Sequence, residues 1–269
     1  MTKPQITKTE DKHKNQIEFR PNDRRYRYIV NGEVKKGVTT LIGARFGKNA
    51  LINWAKGLPY KALEWKLKDE GKPIDYIENF IESLKEKSDK LEIKDAKTGS
   101  MMHSICEDYI MGVKVVTPET EPLKTMYSKF TKWWDKRGYK VLATEQTCYS
   151  ADLDVCGTFD AIIKNKKGQT ILLDFKTSKD FYPDQPIQLA TYKKLIEDST
   201  DIKIDFYGII NIPKDKLKDI SIRMYKDKQR YLKTFKICKY LDKFESACLS
   251  ETKEWKKQQT QTKRKKNVR

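Results

Sequence analysis

The chain has 269 residues, of which 56 are Lys or Arg and 38 are Asp or Glu, so its formal net charge is +18. This length allows one large domain or two small ones, and the absence of any apolar run near 18 residues excludes a membrane-spanning helix. The excess of positive charge favours a polyanionic partner, most simply nucleic acid. A lysine-rich genome that decorates every surface with lysine would give the same count.

Cysteine usage and the N-terminal sequence predict the compartment. The first residues lack the apolar stretch of a signal peptide, and the five cysteines never form a CxxC pair. Their odd number argues against disulfide pairing and against structural zinc. We therefore predict a cytoplasmic protein in a reducing environment, which would be the host cytoplasm if a phage encodes it.

The first third of the chain is predicted to be a short tail, a hairpin and helices. Residues 1–16 are polar and are expected to be disordered. The region 17–97 begins with a hairpin that turns at Asn31-Gly32, because this dipeptide favours a tight turn between strands. Apolar residues at three- and four-residue spacings predict helices from about 48 to 90, interrupted at Pro59 and at 71–73.

The remainder is predicted to be an α/β core, residues 98–250, followed by a disordered basic tail, residues 251–269. The core begins with a helix capped by Ser100 and stopped by Gly112, and an amphipathic helix ends at Gly138. Strands follow, with one helix inserted at about 185–198, and a last strand and helix complete the core. The fold class is therefore α/β, a central mixed sheet flanked by helices, with a largely helical N-terminal region.

One stretch, GTFDAIIKNKKGQTILLDFKTSK, places charged residues within apolar strands. If residues 166–168 form a three-residue hairpin loop, Asn165 pairs with Gln169 and Asp160 lies opposite Asp174. Lys176 then shares the face of Asp174, because side chains alternate along a strand. Two carboxylates and one amine would converge on one patch.

Two interpretations of this patch remain open. Facing carboxylates repel each other, and a hard divalent cation such as Mg²⁺ or Mn²⁺ would relieve that repulsion. A lysine beside such an ion could orient the attacking water and stabilise charge on a phosphate. Alternatively, Lys176 forms a structural ion pair with one of the aspartates, and the hairpin alone does not decide between the two.

The spacing of the charged residues in this hairpin resembles the D…(D/E)xK signature of the PD-(D/E)XK nuclease superfamily: Asp160 is followed, after thirteen residues, by Asp174-Phe175-Lys176. The stretch GSMMHSICE, which contains His103, resembles the helix that brings a histidine to the metal in the RecB-like branch. The stretch QLATY, residues 188–192, matches the QxxxY motif of that branch. The resemblance covers about residues 98–213. A looser likeness, in GVTTLIGARFGKNALINWA, is to phage-type and mitochondrial genome maintenance exonucleases.

The resemblance implies a restriction-endonuclease-like core and phosphodiester hydrolysis with Mg²⁺ or Mn²⁺. It implies metal binding by Asp160 and Asp174, with the Phe175 carbonyl and His103 as further ligands. Lys176 would orient water, and Gln188 and Tyr192 would orient Lys176 and the scissile phosphate. Glu107 and Glu145 are candidate acids farther from the ion. The cysteine spacing departs from that of iron–sulfur members of the branch, so no cluster is expected. Without the resemblance, a lone histidine such as His103 is more often a half-buried helix residue than a metal ligand.

The expected substrate is DNA, either single-stranded or at linear ends, cut by an exonuclease in replication, repair or recombination. Candidate nucleic-acid-binding residues are Trp54, Lys56, Lys179 and Lys193, although the tryptophan could instead be helix core. The alternatives are an endonuclease of the restriction or CRISPR-adaptation type and a non-catalytic nucleic-acid-binding relative. No P-loop motif is present, so any ATP-driven unwinding would come from a partner such as a helicase. A recombinase or a single-strand-binding protein are other candidate partners, and no membrane partner is expected.

Overall fold

A computed structural model describes residues 6–23, 26–46, 49–178, 180–226 and 229–266, with the backbone alone described at 49–56, 92–93 and 259–266. The strands are β1 (Thr7–Glu10), β2 (Gln16–Phe19), β3 (Tyr28–Val30), β4 (Glu33–Lys35), β5 (Lys140–Ser150), β6 (Val155–Lys164), β7 (Thr170–Lys176), β8 (Phe206–Asn211) and β9 (Ser221–Tyr225). The helices are α1 (Val38–Phe46), α2 (Asn49–Asp69), α3 (Ile74–Ile110), α4 (Leu123–Asp135), α5 (Asp184–Ser199) and α6 (Gln229–Lys266).

The central element is a five-stranded mixed sheet in the order β5-β6-β7-β8-β9. Strands β5, β6 and β7 are antiparallel neighbours, β7 and β8 are parallel, and β9 returns antiparallel to β8. The single parallel pair requires a crossover, and α5 supplies it. The predicted fold class, a mixed sheet flanked by helices with a helical N-terminal region, is confirmed.

Helices cover both faces of this sheet, and each face has its own apolar core. Helices α1, α5 and α6 pack on the face that carries Ile162 and Leu172. Helices α3 and α4 pack on the opposite face, which carries Ile163, Leu173 and Phe175. Because strand side chains alternate, the apolar run of β7 can fill both cores. The sheet is therefore a middle layer, and residues at its strand ends can be reached by helices from either side.

The N-terminal segment forms a second, four-stranded antiparallel sheet in the order β1-β2-β3-β4. Asn31 and Gly32 have φ of 50° and 85°, the left-handed values that a two-residue hairpin turn requires, so the predicted hairpin is confirmed. The predicted disorder of residues 1–16 is wrong for Thr7–Glu10, which pairs with β2. Strand pairing uses main-chain groups, so a segment with exposed polar side chains can still be ordered by its neighbour.

Two predicted helix breaks are absent. Pro59 lies inside α2, and α3 runs without interruption past Ser100, which therefore caps nothing. The Thr98 hydroxyl donates to the Lys94 carbonyl 2.9 Å away, so this polar residue is satisfied within the helix. Gly71 and Gly112, with φ of 70° and 71°, do follow helix ends as predicted. The proposed domain boundary at residue 97 falls within α3, and the division into domains stays a prediction.

The last helix is longer than predicted. Residues 251–266, expected to belong to a disordered tail, continue α6. Lys, Glu and Gln are good helix formers, so poverty in apolar residues did not prevent a helix here. Within the part of the chain that the structure describes, no helix combines the length and the apolar character that a membrane crossing requires.

Candidate active site

The acidic hairpin of β6 and β7 has the predicted register. Lys164 pairs with Thr170, and the Asn165 N–H donates to the Gln169 carbonyl at 3.0 Å. Gly168 has a φ of 78°, which closes the short loop without steric cost. Counting from these pairs, Asp160 lies opposite Asp174, two residues before the end of β7.

Asp174 and Lys176 form a tight ion pair. Lys176 Nζ lies 2.7 Å from Asp174 Oδ2, and the side chains are 25% and 2% exposed. Within the described residues, Oδ2 has no partner in hydrogen-bonding alignment, so the ammonium stabilises this buried oxygen by its charge. Burial lowers the pKa of Lys176, but the carboxylates of Asp174 and Asp160 outweigh that effect and raise it. Lys176 is therefore charged at neutral pH.

Asp160 is held from two sides through the same oxygen. The Phe175 N–H donates to Asp160 Oδ2 at 2.7 Å, and His103 Nδ1 lies 3.5 Å from that atom. Burial and, second, the charge of Asp174 raise the pKa of Asp160 to about 6. His103 and Lys176 oppose this rise without cancelling it. The pair of aspartates is thus short of positive charge.

Two helices complete the site from opposite faces of the sheet. Helix α3 carries His103, whose ring meets Phe175 edge-on with centroids 6.4 Å apart. Helix α5 carries Gln188, whose Nε2–H donates to Asp174 Oδ1 at 3.1 Å. The sequence predicted that Gln188 would orient Lys176. The structure shows that it contacts Asp174 instead, so any influence on Lys176 passes through that carboxylate.

Tyr192, the second member of the QxxxY motif, is a core residue, 5% exposed. Its ring lies against β6 at Gly157, where an added Cβ would be 2.5 Å from Tyr192 Cε1. Burial is the largest of the causes that raise the pKa of Tyr192 well above its usual value. The phenol is therefore neutral, and it lies beneath the site. The predicted contact between this phenol and a phosphate stays a prediction.

Glu145 on β5 lies in the same row as the two aspartates. Thr144 pairs with Ala161 and Gln146 with Phe159, which places Glu145 opposite Asp160. Its φ of 45° is unusual for a non-glycine residue in a strand. Glu145 is an exposed residue, yet desolvation by neighbouring atoms and the charges of Asp160, Glu107 and Asp174 raise its pKa to about 8.

Glu107, one turn after His103 on α3, also faces these acids. Desolvation, with the charges of Asp108 and Asp160, raises its pKa. The sequence predicted Glu107 and Glu145 as possible acids of the outer shell, beyond the direct ligands of the ion. The structure brings both acids close enough to Asp160 for its charge to raise their pKa values.

The two aspartates fit a hard divalent cation. The buried Oδ2 of Asp174 lacks an aligned hydrogen bond, and Mg²⁺ commonly binds one or two carboxylates, with water and phosphate as further ligands. Among the described residues, no group of three or more His, Cys, Asp or Glu side chains is arranged to hold a metal ion. Within the described residues, the protein ligands for such an ion would therefore be the paired carboxylates of Asp160 and Asp174. Phe175 contributes its N–H here, and a role for its carbonyl stays a prediction.

The predicted nucleic-acid contacts are only partly described. The side chains of Trp54 and Lys56, and all of Lys179, lie outside the described residues. Lys193 forms an ion pair with Glu197 at 2.8 Å, one turn along α5. A nucleic acid would therefore compete with Glu197 for Lys193.

Two glycines that position the site were not singled out from the sequence. Gly157 admits the ring of Tyr192, and at Gly99 on α3 an added Cβ would lie 3.1 Å from Thr177 Oγ1, directly after β7. Both allow a helix to approach the strands that carry the aspartates. A glycine within a strand often marks such a close approach, so VCGTFD contained a usable signal.

No protein-family model matches the chain, and no curated protein matches it. Several solved structures resemble part of it, among them the following two. One, a "Putative exonuclease" from Eubacterium rectale, is 14% identical with a TM-score of 0.34, over 51% of this chain and 62% of the other. The second, SSO0001, is 16% identical with a TM-score of 0.28, over 43% and 57%. The chain spans less than two thirds of either structure, and at these TM-scores the similarity carries no argument about activity.

Proposed function

We propose that this protein is a metal-dependent deoxyribonuclease that hydrolyses phosphodiester bonds, and that it acts as an exonuclease on single-stranded or linear DNA. The observation that supports the proposal best is the arrangement of Asp160 and Asp174 on neighbouring strands with the Lys176 ammonium 2.7 Å from Asp174. The two carboxylates repel each other and share a single ammonium, that of Lys176. This arrangement suits a cation that brings a phosphate with it.

In this proposal each residue has a distinct task. Asp160 and Asp174 would hold Mg²⁺ or Mn²⁺, with His103 beside Asp160. When bound, such an ion polarises a phosphoryl oxygen and lowers the pKa of bound water. Lys176, charged and partly exposed, orients the attacking water and stabilises negative charge on the phosphate. Gln188 fixes the rotamer of Asp174 through its hydrogen bond to Oδ1.

The preference for DNA rests on charge and on the motif. A net charge of +18 would attract any polyanion and would make binding sensitive to salt. Preference for linear ends, cooperation with a helicase, recombinase or single-strand-binding partner, and work in a reducing cytoplasm belong to the same proposal. An endonuclease with the same residues is the second candidate, and a circular substrate separates the two.

The test uses end-labelled linear and circular single-stranded DNA with Mg²⁺, Mn²⁺ or EDTA. Wild type is compared with Asp160→Asn and Asp174→Asn, and Asp201→Asn is the matched control, because Asp201 is 98% exposed. We expect metal-dependent loss of the linear strand only, abolished in both site variants and unchanged in the control. DNA binding should persist in the site variants, because the metal acts mainly on charge that develops in the transition state.

Other outcomes have definite meanings. Cutting of the circle would replace the exonuclease with an endonuclease. Equal activity of Asp174→Asn and wild type would contradict the site. If the protein binds DNA but cleaves neither single-stranded DNA, duplex DNA nor RNA, it is a binding protein in which Lys176 and Asp174 form a structural ion pair.

A further inference from the structure

Helix α6 carries an apolar stripe that faces away from the rest of the protein. The residues of this outer stripe recur at intervals of three and four from position 237 to position 248, and one more follows seven residues later. Together they extend over about 27 Å of helix, given a rise of about 1.5 Å per residue. They are Ile237, Tyr240, Leu241, Phe244, Cys248 and Trp255. Counted as a heptad, Ile237 and Phe244 occupy d positions and Leu241, Cys248 and Trp255 occupy a positions. The pattern of a coiled-coil seam is unbroken from Ile237 to Cys248, and Glu251 occupies the next d position.

The opposite side of the same helix already holds α6 to the protein. Phe235 and Cys238 are buried, with 0% and 3% of their surfaces exposed. Farther along, Asp242 forms an ion pair with Lys36, and Glu245 forms one with Arg45 at 2.7 Å. The contacts that hold α6 to its own chain are therefore made largely by residues outside the outer stripe.

The exposure of the outer stripe is large. Ile237, Tyr240, Leu241, Phe244 and Trp255 are 57%, 68%, 40%, 57% and 58% exposed. Since a large side chain of this kind can bury roughly 150–250 Å², together they expose on the order of 500 Å². A patch of this size is at the upper end for a monomer and is often functional. If the outer stripe of one copy covered that of another, the two copies together would bury about 1,000 Å² of surface. This area is the lower limit for a specific interface.

We propose that the outer stripe is the interface of a homodimer in which α6 helices of two copies pack antiparallel. Between Ile237 and Cys248 the a and d positions are all apolar. This part of the stripe is self-complementary, which is what a two-fold interface requires. In this register Leu241 of one copy packs against Phe244 of the other, and Ile237 packs against Cys248. Each copy buries its stripe with no change in the rest of the fold.

Charge determines the antiparallel orientation. Lys233 and Glu254 occupy g positions that flank the stripe, and antiparallel packing brings Lys233 of each copy beside Glu254 of the other. A parallel pair would place Lys233 beside Cys238. It would also place the two basic helix ends side by side, since the sequence after Trp255 has seven Lys and Arg residues and no acid. This inference does not depend on the proposed nuclease activity.

The first experiment measures the mass of the full chain by sedimentation from roughly 1 to 100 μM, because interfaces of this size often have micromolar affinity. We expect a dimer of two 31.7-kDa chains that the Leu241→Ser/Phe244→Ser variant converts to a monomer. The control is Ser250→Glu, which adds a charge to an exposed position of α6 outside the stripe. A wild-type monomer throughout this range, or a dimer that the stripe variant leaves intact, would overturn the proposal.

The second experiment tests orientation by charge exchange. Lys233→Glu and Glu254→Lys each place like charges together in the antiparallel dimer and should weaken it roughly tenfold or more, about 1.4 kcal/mol. The double variant restores opposite charges and should restore the dimer. No recovery in the double variant would reject the antiparallel arrangement. A monomer whose stripe variant loses affinity for single-stranded DNA would assign the surface to nucleic acid instead.

Discussion

Lys176 Nζ lies 2.7 Å from Asp174 Oδ2, and the carboxylate is buried whereas the lysine is partly open to solvent. The ammonium thus compensates the charge of a carboxylate whose burial without a partner would be costly. The same contact leaves the lysine at the surface, where a ligand can approach it. We therefore expect stability to depend on the charge compensation of Asp174, and function to depend on the access of a ligand to Lys176.

The replacement Lys176→Met should lower the free energy of unfolding by about 3 kcal/mol, because it leaves the carboxylate of Asp174 buried without its partner. Urea denaturation at pH 7 measures the loss. The matched control is Lys90→Met. Lys90 pairs with Glu86 at 3.5 Å on an exposed surface, so that its loss should cost at most about 0.5 kcal/mol. Equal effects of the two replacements would show that the buried pair does not form.

The replacement Glu145→Gln should reduce the dependence of stability on pH. The pKa of Glu145 rises from 4.5 to about 8 on folding, so between these values the folded state holds a proton that the unfolded state has released. The free energy of unfolding therefore falls as the pH rises through this range. We expect the Gln variant to be more stable than wild type at pH 8 and equal to it near pH 4.

Thermal or urea unfolding from pH 4 to 8 measures this effect. Asp160, whose pKa also rises on folding, to about 6, contributes a slope of the same sign in both proteins. A residual slope is therefore expected in the variant. Identical slopes in the two proteins would mean that Glu145 titrates normally and lies away from the acids.

The replacement Gly157→Ala should destabilise the protein by about 1–3 kcal/mol, because the new methyl group would overlap the ring of Tyr192. An added Cβ would be 2.5 Å from Cε1 of that ring. The matched control is Gly43→Ala in α1, where nothing lies within 4 Å of an added Cβ. This control should be neutral or stabilising by up to about 1 kcal/mol. A neutral Gly157→Ala would contradict the placement of Tyr192.

The replacement Gln188→Met removes the donor to Asp174 Oδ1 with little change in side-chain volume. Under the proposed function we expect kcat to fall about tenfold with a smaller change in KM, because a hydrogen bond to a charged group contributes roughly 1.5–3 kcal/mol. Gln229→Met at the start of α6 is the control. Steady-state cleavage of a linear strand measures both constants, and an unchanged kcat would show that Gln188 does not position Asp174.

Local patterns predicted the acidic hairpin well, since its register depends on a loop of three residues and on the alternation of strand side chains. The same holds for the turn at Asn31-Gly32. Helix ends were predicted less well. Ser100 and Pro59 both look like helix boundaries, but both lie inside helices. In α3 the buried residues Thr98, Met102 and Cys106 continue one helix face past Ser100, and the burial of a helix face outweighs local preference.

The sequence by itself determined which strands carry Asp160, Asp174 and Lys176 and that the two acids face each other, because these relations are set by neighbours along the chain. Only the tertiary structure decided that Gln188 contacts Asp174 and that Glu145 joins the acids. Those relations depend on how helices from the two faces of the sheet approach one strand end. They depend also on how far that approach removes water from the carboxylates, which no local pattern records.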